Sequence, residues 1–234
     1  MEISPVIQKI KVDEWAFHHG KWEQASKILK FVKELRKRDR EEWEEVFDDP
    51  LAEDPDRFEE YMRSGRGIYV LVLKGEEPVG LGLLVRSEWR RVISEEGVRE
   101  LEENAYESFV LVDRKYRRNG IGKRILEHLL EVAKQLKIQR IYFSPIGNSE
   151  RVRGFLAERG VSEEEIERFQ MGKKTQIDRG VIEELYRELE NIYTPSHFLQ
   201  FSITLSEKMG YRVKFLGFNP EDGSPVYVRV LEQV

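Results

Sequence analysis

The segment Tyr116-Arg117-Arg118-Asn119-Gly120-Ile121-Gly122-Lys123 constrains the fold of this chain more than any other. Ahead of it, residues 107–112 read as a strand, with Phe109, Val110, Leu111 and Val112 in one apolar run. Behind it, Ile121, Ile125, Leu129, Val132 and Leu136 recur at helical spacing, and Leu126 and Ala133 widen the stripe. A strand that turns through glycines into an amphipathic helix is an α/β connection. The first amides of such a helix have no internal partners, and the helix dipole adds positive potential there. Gly120 and Gly122 remove side chains where a ligand must approach the backbone, and Arg118, Lys123 and Arg124 add charge beside them. The natural guest is a phosphate or pyrophosphate.

The spacing narrows the choice. A nucleoside-triphosphate loop needs four residues between its glycines and a hydroxyl after its lysine, but Lys123 is followed by Arg124. A dinucleotide loop needs a third glycine and follows the first strand of its fold; here the third glycine is missing and the loop comes after the fourth predicted strand.

The remaining pattern supports one mixed α/β domain. Residues 6–12 read as a first strand, residues 23–45 and 54–62 as helices, and residues 67–73 and 79–87 as strands around a turn at 74–78. Residues 94–104 are charged and read as a helix or solvated loop. Residues 140–144 form another short strand. From Pro145 to Pro195 the pattern loosens, except for the helical stripe Ile182, Leu185, Tyr186, Leu189 and Ile192. Residues 198–209 read as a helix closed by Gly210, and residues 211–218 and 226–231 as a final hairpin.

Composition removes several function classes. The 234 residues contain no cysteine, which excludes disulfides, thiol nucleophiles and Cys-ligated metal. A formal charge of −5 gives no general attraction to nucleic acid. No apolar run is long enough to span a membrane, no leader is evident, and the expected location is cytoplasmic. Charged residues make up 35%, against about 25% in an ordinary domain, the composition expected of a heat-tolerant protein.

Arg117-Arg118-Asn119-Gly120-Ile121-Gly122, led in by Val112-Asp113-Arg114-Lys115-Tyr116, resembles the Arg/Gln-x-x-Gly-x-Gly/Ala signature of the GNAT acyltransferase superfamily. The resemblance implies a single GNAT-like α/β domain over 1–234. Its central mixed, twisted sheet would have about six to seven strands flanked by helices, splayed between the strands near 107–113 and 140–144. Within it, 1–66 would be the N-terminal strand and helices, 67–144 the cofactor-binding core, 145–195 a helical insertion and 196–234 the C-terminal helix and hairpin. It implies acetyl-coenzyme A as co-substrate, with no metal, and an amine acceptor that the sequence does not identify. Pyrophosphate would lie on the amides of Arg118, Asn119, Gly120, Ile121, Gly122 and Lys123, beside Arg117. The pantetheine arm would lie along Val110, Leu111 and Val112 like an added strand.

Two segments compete for the family's C-terminal Leu-Tyr-x-x-x-Gly-Phe helix. Residues 205–211 match the residue classes better and run into the final hairpin; residues 154–161 come sooner but no strand follows them. The first choice puts the position of the family's general-acid tyrosine at Ser206, the second at Leu156. Tyr193 and Tyr211 are possible substitutes. Glu107, with Glu103 second, is the candidate base for the amine, set against an ordinary solvated residue at a strand start. The Val112 amide is the candidate donor to the tetrahedral oxyanion. The alternative to an enzyme is a non-catalytic acyl-coenzyme A binding module.

Other features read as structural. His18 and His19 are adjacent and share no face with a completing carboxylate, so no metal site is expected. His128 is expected on the helix surface. Arg36-Lys37-Arg38 is followed by acids and reads as a solvated helix face. Trp15, Trp22, Trp43 and Trp89 read as core or rim. The stripe within 179–193 must pack on something, by ordinary intramolecular burial, over the acceptor, or in a homodimer.

Overall fold

The structure, a computed structural model, describes residues 11–12, 15–20, 67–75, 77–87, 91–102, 105–145 and 148–231. The helices expected at 23–45 and 54–62, most of the first expected strand, Glu103 and Trp22, Trp43 and Trp89 lie outside these residues. The chain divides into two compact units: residues 1–86 with 106–138, and residues 87–105 with 139–234. Both have the expected α/β character, an open sheet with helices packed on it.

The first unit holds β1 (Lys11–Val12), β2 (Trp15–Gly20), β3 (Gly67–Lys74), β4 (Glu77–Arg86), β7 (Tyr106–Val112), the 3-10 turn Arg114–Tyr116 and helix α1 (Ile121–Gln135). Each strand pairs antiparallel with the next, in the order β1-β2-β3-β4-β7. Strand β4 is central and buried on both faces from Val79 to Val85. That burial explains why its sequence is a near-continuous apolar run, without the alternation of a half-wet strand. Helix α1 buries Ile121, Ile125, Leu126, Leu129 and Ala133 of the stripe expected from its periodicity, with Leu130 in addition, while Val132 and Leu136 of that stripe are half-buried.

Two glycines set how closely that helix approaches. A Cβ on Gly82 would stand 2.3 Å from Ile125 Cγ2 and 2.9 Å from Leu129 Cδ1, and one on Gly80 would stand 3.0 Å from Ile125 Cδ1. The glycines therefore lie under α1. Their cross-strand partners Val110 and Val112 share that face, while Glu107 and Leu111 point to the other. Strand β7 is less buried than its apolar run suggests: Phe109, Val110, Leu111 and Val112 are each half-buried.

The second unit holds β5 (Arg91–Ser94), β6 (Gly97–Glu100), β8 (Arg140–Phe143), α2 (Ser149–Glu158), α3 (Glu163–Gln170), α4 (Arg179–Ile192), α5 (His197–Lys208), β9 (Tyr211–Phe218) and β10 (Pro225–Leu231). Strand order is β8-β10-β9-β5-β6, again antiparallel. Helix α5 ends as expected at Gly210, whose φ is +86°. Asn148, Ser162, Asp178 and Ser196 cap the starts of α2, α3, α4 and α5, each accepting a bond from an amide two or three residues on.

Three sequence expectations are corrected. The described residues contain ten strands, not six to seven. Residues 91–100 form the hairpin β5–β6, which takes up the first part of the 94–104 segment expected as a helix or solvated loop. Only Val92 and Ile93 of β5 and Gly97 of β6 are buried, too few to give an apolar alternation. His128 is half-buried beside Glu131, with Nδ1 3.6 Å from its carboxylate.

The 145–195 segment carries much of the second core. Val152 and Leu156 of α2, Ile166 and Phe169 of α3, and Ile182, Leu185 and Leu189 of α4 pack with Ile93 and Phe218. Ile182, Leu185 and Leu189 of the α4 stripe are thus buried within their own unit, Tyr186 packs half-buried against them, and Ile192 is exposed.

Gly82→Val should lower stability by about 2 kcal/mol or more, because the added carbons have no room under Ile125 and Leu129. Gly154→Ala, exposed inside α2 with open space at its Cβ, should instead raise it by ~0.5–1 kcal/mol. Urea denaturation of both variants reads the two signs; an unchanged midpoint for Gly82→Val would show that α1 is not seated on the glycines.

Candidate functional site

The turn between β7 and α1 is tied together by hydrogen bonds among its own backbone and side chains. Asp113, nearly buried, caps the 3-10 turn: its Oδ1 accepts from the Lys115 amide at 3.0 Å, and its carbonyl accepts from the Tyr116 amide at 2.8 Å. Arg118 takes a left-handed conformation, φ +66°, and Gly120 another, φ +75°. A non-glycine residue held there costs ~1–3 kcal/mol, a strain typical of ligand-binding turns. Between them Asn119 donates its side-chain amide to Tyr116 O at 3.2 Å and Arg117 O at 3.5 Å. Arg117 Nε donates to Val112 O at 3.1 Å.

Helix α1 then starts with no side chain capping Gly120 and no acid in its first turn. Its backbone ladder begins only with Arg124 N to Gly120 O at 3.2 Å. The first-turn amides therefore precede any helical acceptor. Residues Arg117 to Gly120, Lys123 and Arg124 are exposed around them. Lys123 lies 3.9 Å from Glu127, one turn on. This fits an anionic phosphate: backbone donors, a helix dipole, local cations and no acid in the first turn of the helix.

The strand edge leading into the turn has a defined phase. Asp113 N donates to Val79 O at 3.0 Å, so Glu107, Phe109 and Leu111 turn their backbone groups toward β4. Val110 and Val112 turn theirs the other way, as the Arg117 bond to Val112 O confirms. The residues expected to pair with an extended ligand are thus Val110 and Val112, with Leu111 between them bonded into the sheet.

Two braces were missed from sequence. Tyr116 donates its hydroxyl to Glu77 Oε2 at 3.1 Å, and Lys74 Nζ stands 5.5 Å over the Tyr116 ring. Both contacts reach back to the β3–β4 hairpin, and no local pattern marks such pairs. Asp113 did carry a signal, since an Asp two residues before an amide it can cap is an Asx-turn former.

The candidate catalytic side chains fall in different surroundings. Glu107 is 7% exposed on β7, which removes the reading of a solvated strand-start residue. Ser206 is fully buried in α5: its hydroxyl donates to Ser202 O at 2.6 Å and accepts from Arg229 Nε at 2.7 Å. Arg229 also donates Nη2 to Ser202 Oγ at 2.6 Å and lies 3.6 Å over the Phe143 ring. Burial pushes its pKa down to about 9, while Tyr211 acts the other way, so it stays a cation at neutral pH. The Ser206 proton is therefore committed to Ser202 O, one turn back in α5, and its oxygen ties α5 to β10 by accepting from Arg229. Leu156 is buried in the second core and has no proton to give. Burial pushes the Tyr211 phenol up to about 12, and burial beside Tyr227 also raises Tyr193, so both are reluctant acids. Among the described residues no group of three His, Asp or Glu could hold a metal ion, and no helix is long and apolar enough to cross a membrane.

The model of the acetyltransferase (GNAT) family matches residues 31–161, more than half of the chain, and the protein belongs to that family. It is therefore an acyltransferase. The match includes the β7–α1 turn and the 154–161 segment, which starts in α2 and runs past its end, and it stops before α5. No curated protein sequence matches the chain. Among solved structures, a GNAT acetyltransferase from Streptococcus pneumoniae is 12% identical, covers 93% of this chain and 100% of its own, and has a TM-score of 0.47. The ribosomal-protein-S5-alanine acetyltransferase from Vibrio fischeri is 10% identical over 96% of this chain and 97% of its own, with a TM-score of 0.47. The PaiA N-acetyltransferase from Thermoplasma acidophilum, solved with coenzyme A, is 9% identical over 92% and 99%, with a TM-score of 0.43. Likenesses this loose say nothing about acceptor or mechanism.

Ser206→Ala should cost about 1–3 kcal/mol of stability by taking an acceptor from buried Arg229, with turnover changed less than twofold. Denaturation beside steady-state kinetics tests this. A collapse of turnover at unchanged stability would return Ser206 to the chemistry.

Proposed function

We propose that this acyltransferase moves an acetyl group from acetyl-coenzyme A to a primary amine by direct attack in a ternary complex. The observation that carries the proposal is the β7–α1 turn, where uncapped first-turn amides follow two left-handed residues and stand among exposed cations.

In this reading the amides from Arg118 to Lys123 hold the pyrophosphate, and the Val110 and Val112 edge of β7 pairs with the pantetheine arm. The amine nitrogen attacks the thioester carbon, forming the C–N bond and a tetrahedral oxyanion. Collapse breaks the C–S bond. Coenzyme A leaves as a thiolate, which a thiol pKa of ~8.5 makes feasible with little protonation. The proton lost by the amine, whose ordinary pKa is ~10.4, passes to Glu107, directly or through water. No protein nucleophile is needed, in keeping with a chain that has no cysteine.

Calorimetric titration with acetyl-coenzyme A should show binding to the natural protein and a loss of at least ~100-fold in Gly122→Glu, which puts a carboxylate among the anion-binding amides. Equal affinity would remove the turn from the site. In an assay against mixed primary amines, Glu107→Gln should lower kcat by roughly 100-fold or more while acetyl-coenzyme A affinity holds. Binding without turnover in the natural protein would point instead to a binding module.

A further inference from the structure

Arg117 stands at the junction of strand and turn, and its charge invites the role of a phosphate ligand. A hydrogen bond it makes points elsewhere. Nε donates at 3.1 Å to the carbonyl of Val112, the last residue of β7. That carbonyl belongs to the peptide whose N–H, on Asp113, donates to Val79 O at 3.0 Å. One peptide is thus held from both ends, by Arg117 on the side away from β4 and by β4 itself on the other.

The side away from β4 is where this matters. A strand residue directs its N–H and C=O to the same side, so the Val112 carbonyl emerges beside the Val112 amide. An uncovered carbonyl there would present the negative end of a dipole to an incoming polyanion and compete with the amides of the turn. Asn119 covers the carbonyls of Tyr116 and Arg117 in the same way. The three carbonyls of this corner are each matched to a side-chain donor.

We infer that Arg117 is a positioning residue, whose Nε–H covers the Val112 carbonyl and fixes the Val112–Asp113 peptide, and that this hydrogen bond, not the guanidinium charge, is its contribution to cofactor affinity. The inference rests on the proposed binding of acetyl-coenzyme A to this turn.

Side-chain chemistry separates the two roles. Glutamine carries a donor nitrogen at the same chain position as arginine Nε, with no charge. Lysine keeps the charge but has a methylene at that position. Arg117→Gln should bind acetyl-coenzyme A within about threefold of the natural protein and keep its salt dependence. Arg117→Lys and Arg117→Met should each lose roughly tenfold. The reverse order, Lys retained and Gln lost, would overturn the inference in favour of a charge on the phosphate. Four proteins of equal affinity would overturn it as well. Amide hydrogen exchange at Asp113, read by NMR without ligand, gives an independent answer: exchange should match the natural protein in Arg117→Gln and be at least ~10-fold faster in Arg117→Lys. If the natural protein binds no acetyl-coenzyme A, the proposed function fails, while unchanged exchange in Arg117→Lys would still sink the peptide-holding role by itself.

Discussion

The site depends first on how near helix α1 comes to strand β4. Ile125 and Leu129 occupy the space that side chains on Gly80 and Gly82 would need. That contact buries the α1 stripe and sets where the helix begins relative to the end of β7. The interval between them, Asp113 to Gly120, is then too short to choose its own path. It closes through a 3-10 turn and two left-handed residues, and the strain at Arg118 follows from that closure. Burial of the helix face offsets this local cost many times over.

Within the closed turn, peptide orientation decides what can bind. A peptide that shows its N–H to a site must hide its C=O, and each hidden carbonyl needs a donor. Here the donors come from the turn itself, from Asn119 and Arg117, and the Tyr116 hydroxyl ties it to Glu77 on the neighbouring hairpin. The second unit uses the same logic for a different end. Arg229, buried with two serine hydroxyls and the Phe143 ring, holds α5 against β10. The polar side chains of the turn bond its own backbone and the neighbouring hairpin, whereas those around Arg229 bond each other across α5 and β10.

What could be read without a structure follows from the range of the interactions involved. The α1 stripe, the β3–β4 and β9–β10 hairpins and the Gly210 helix stop are local patterns, and each stands where periodicity and turn chemistry put it. Strands β5 and β6 were not legible because only Val92, Ile93 and Gly97 are buried there. Helix α3 buries just Ile166 and Phe169, too little stripe to declare itself. The left-handed turn at Gly120 was legible because its requirement is a backbone one. The braces at Glu77 and Lys74 were not, since they join residues about forty apart. Ser206 shows the limit most plainly: its sequence position suggested proton transfer, and its bonds to Ser202 and Arg229 are structural.

The central claim is that the backbone amides opening α1 hold the pyrophosphate of coenzyme A. A crystal structure of the protein grown with coenzyme A tests it most directly. The account predicts pyrophosphate oxygens within ~3.2 Å of the amides of Gly120 and Gly122, with Arg117 Nε still on Val112 O. A pyrophosphate bound away from this turn, or density for none at saturating ligand, would contradict it.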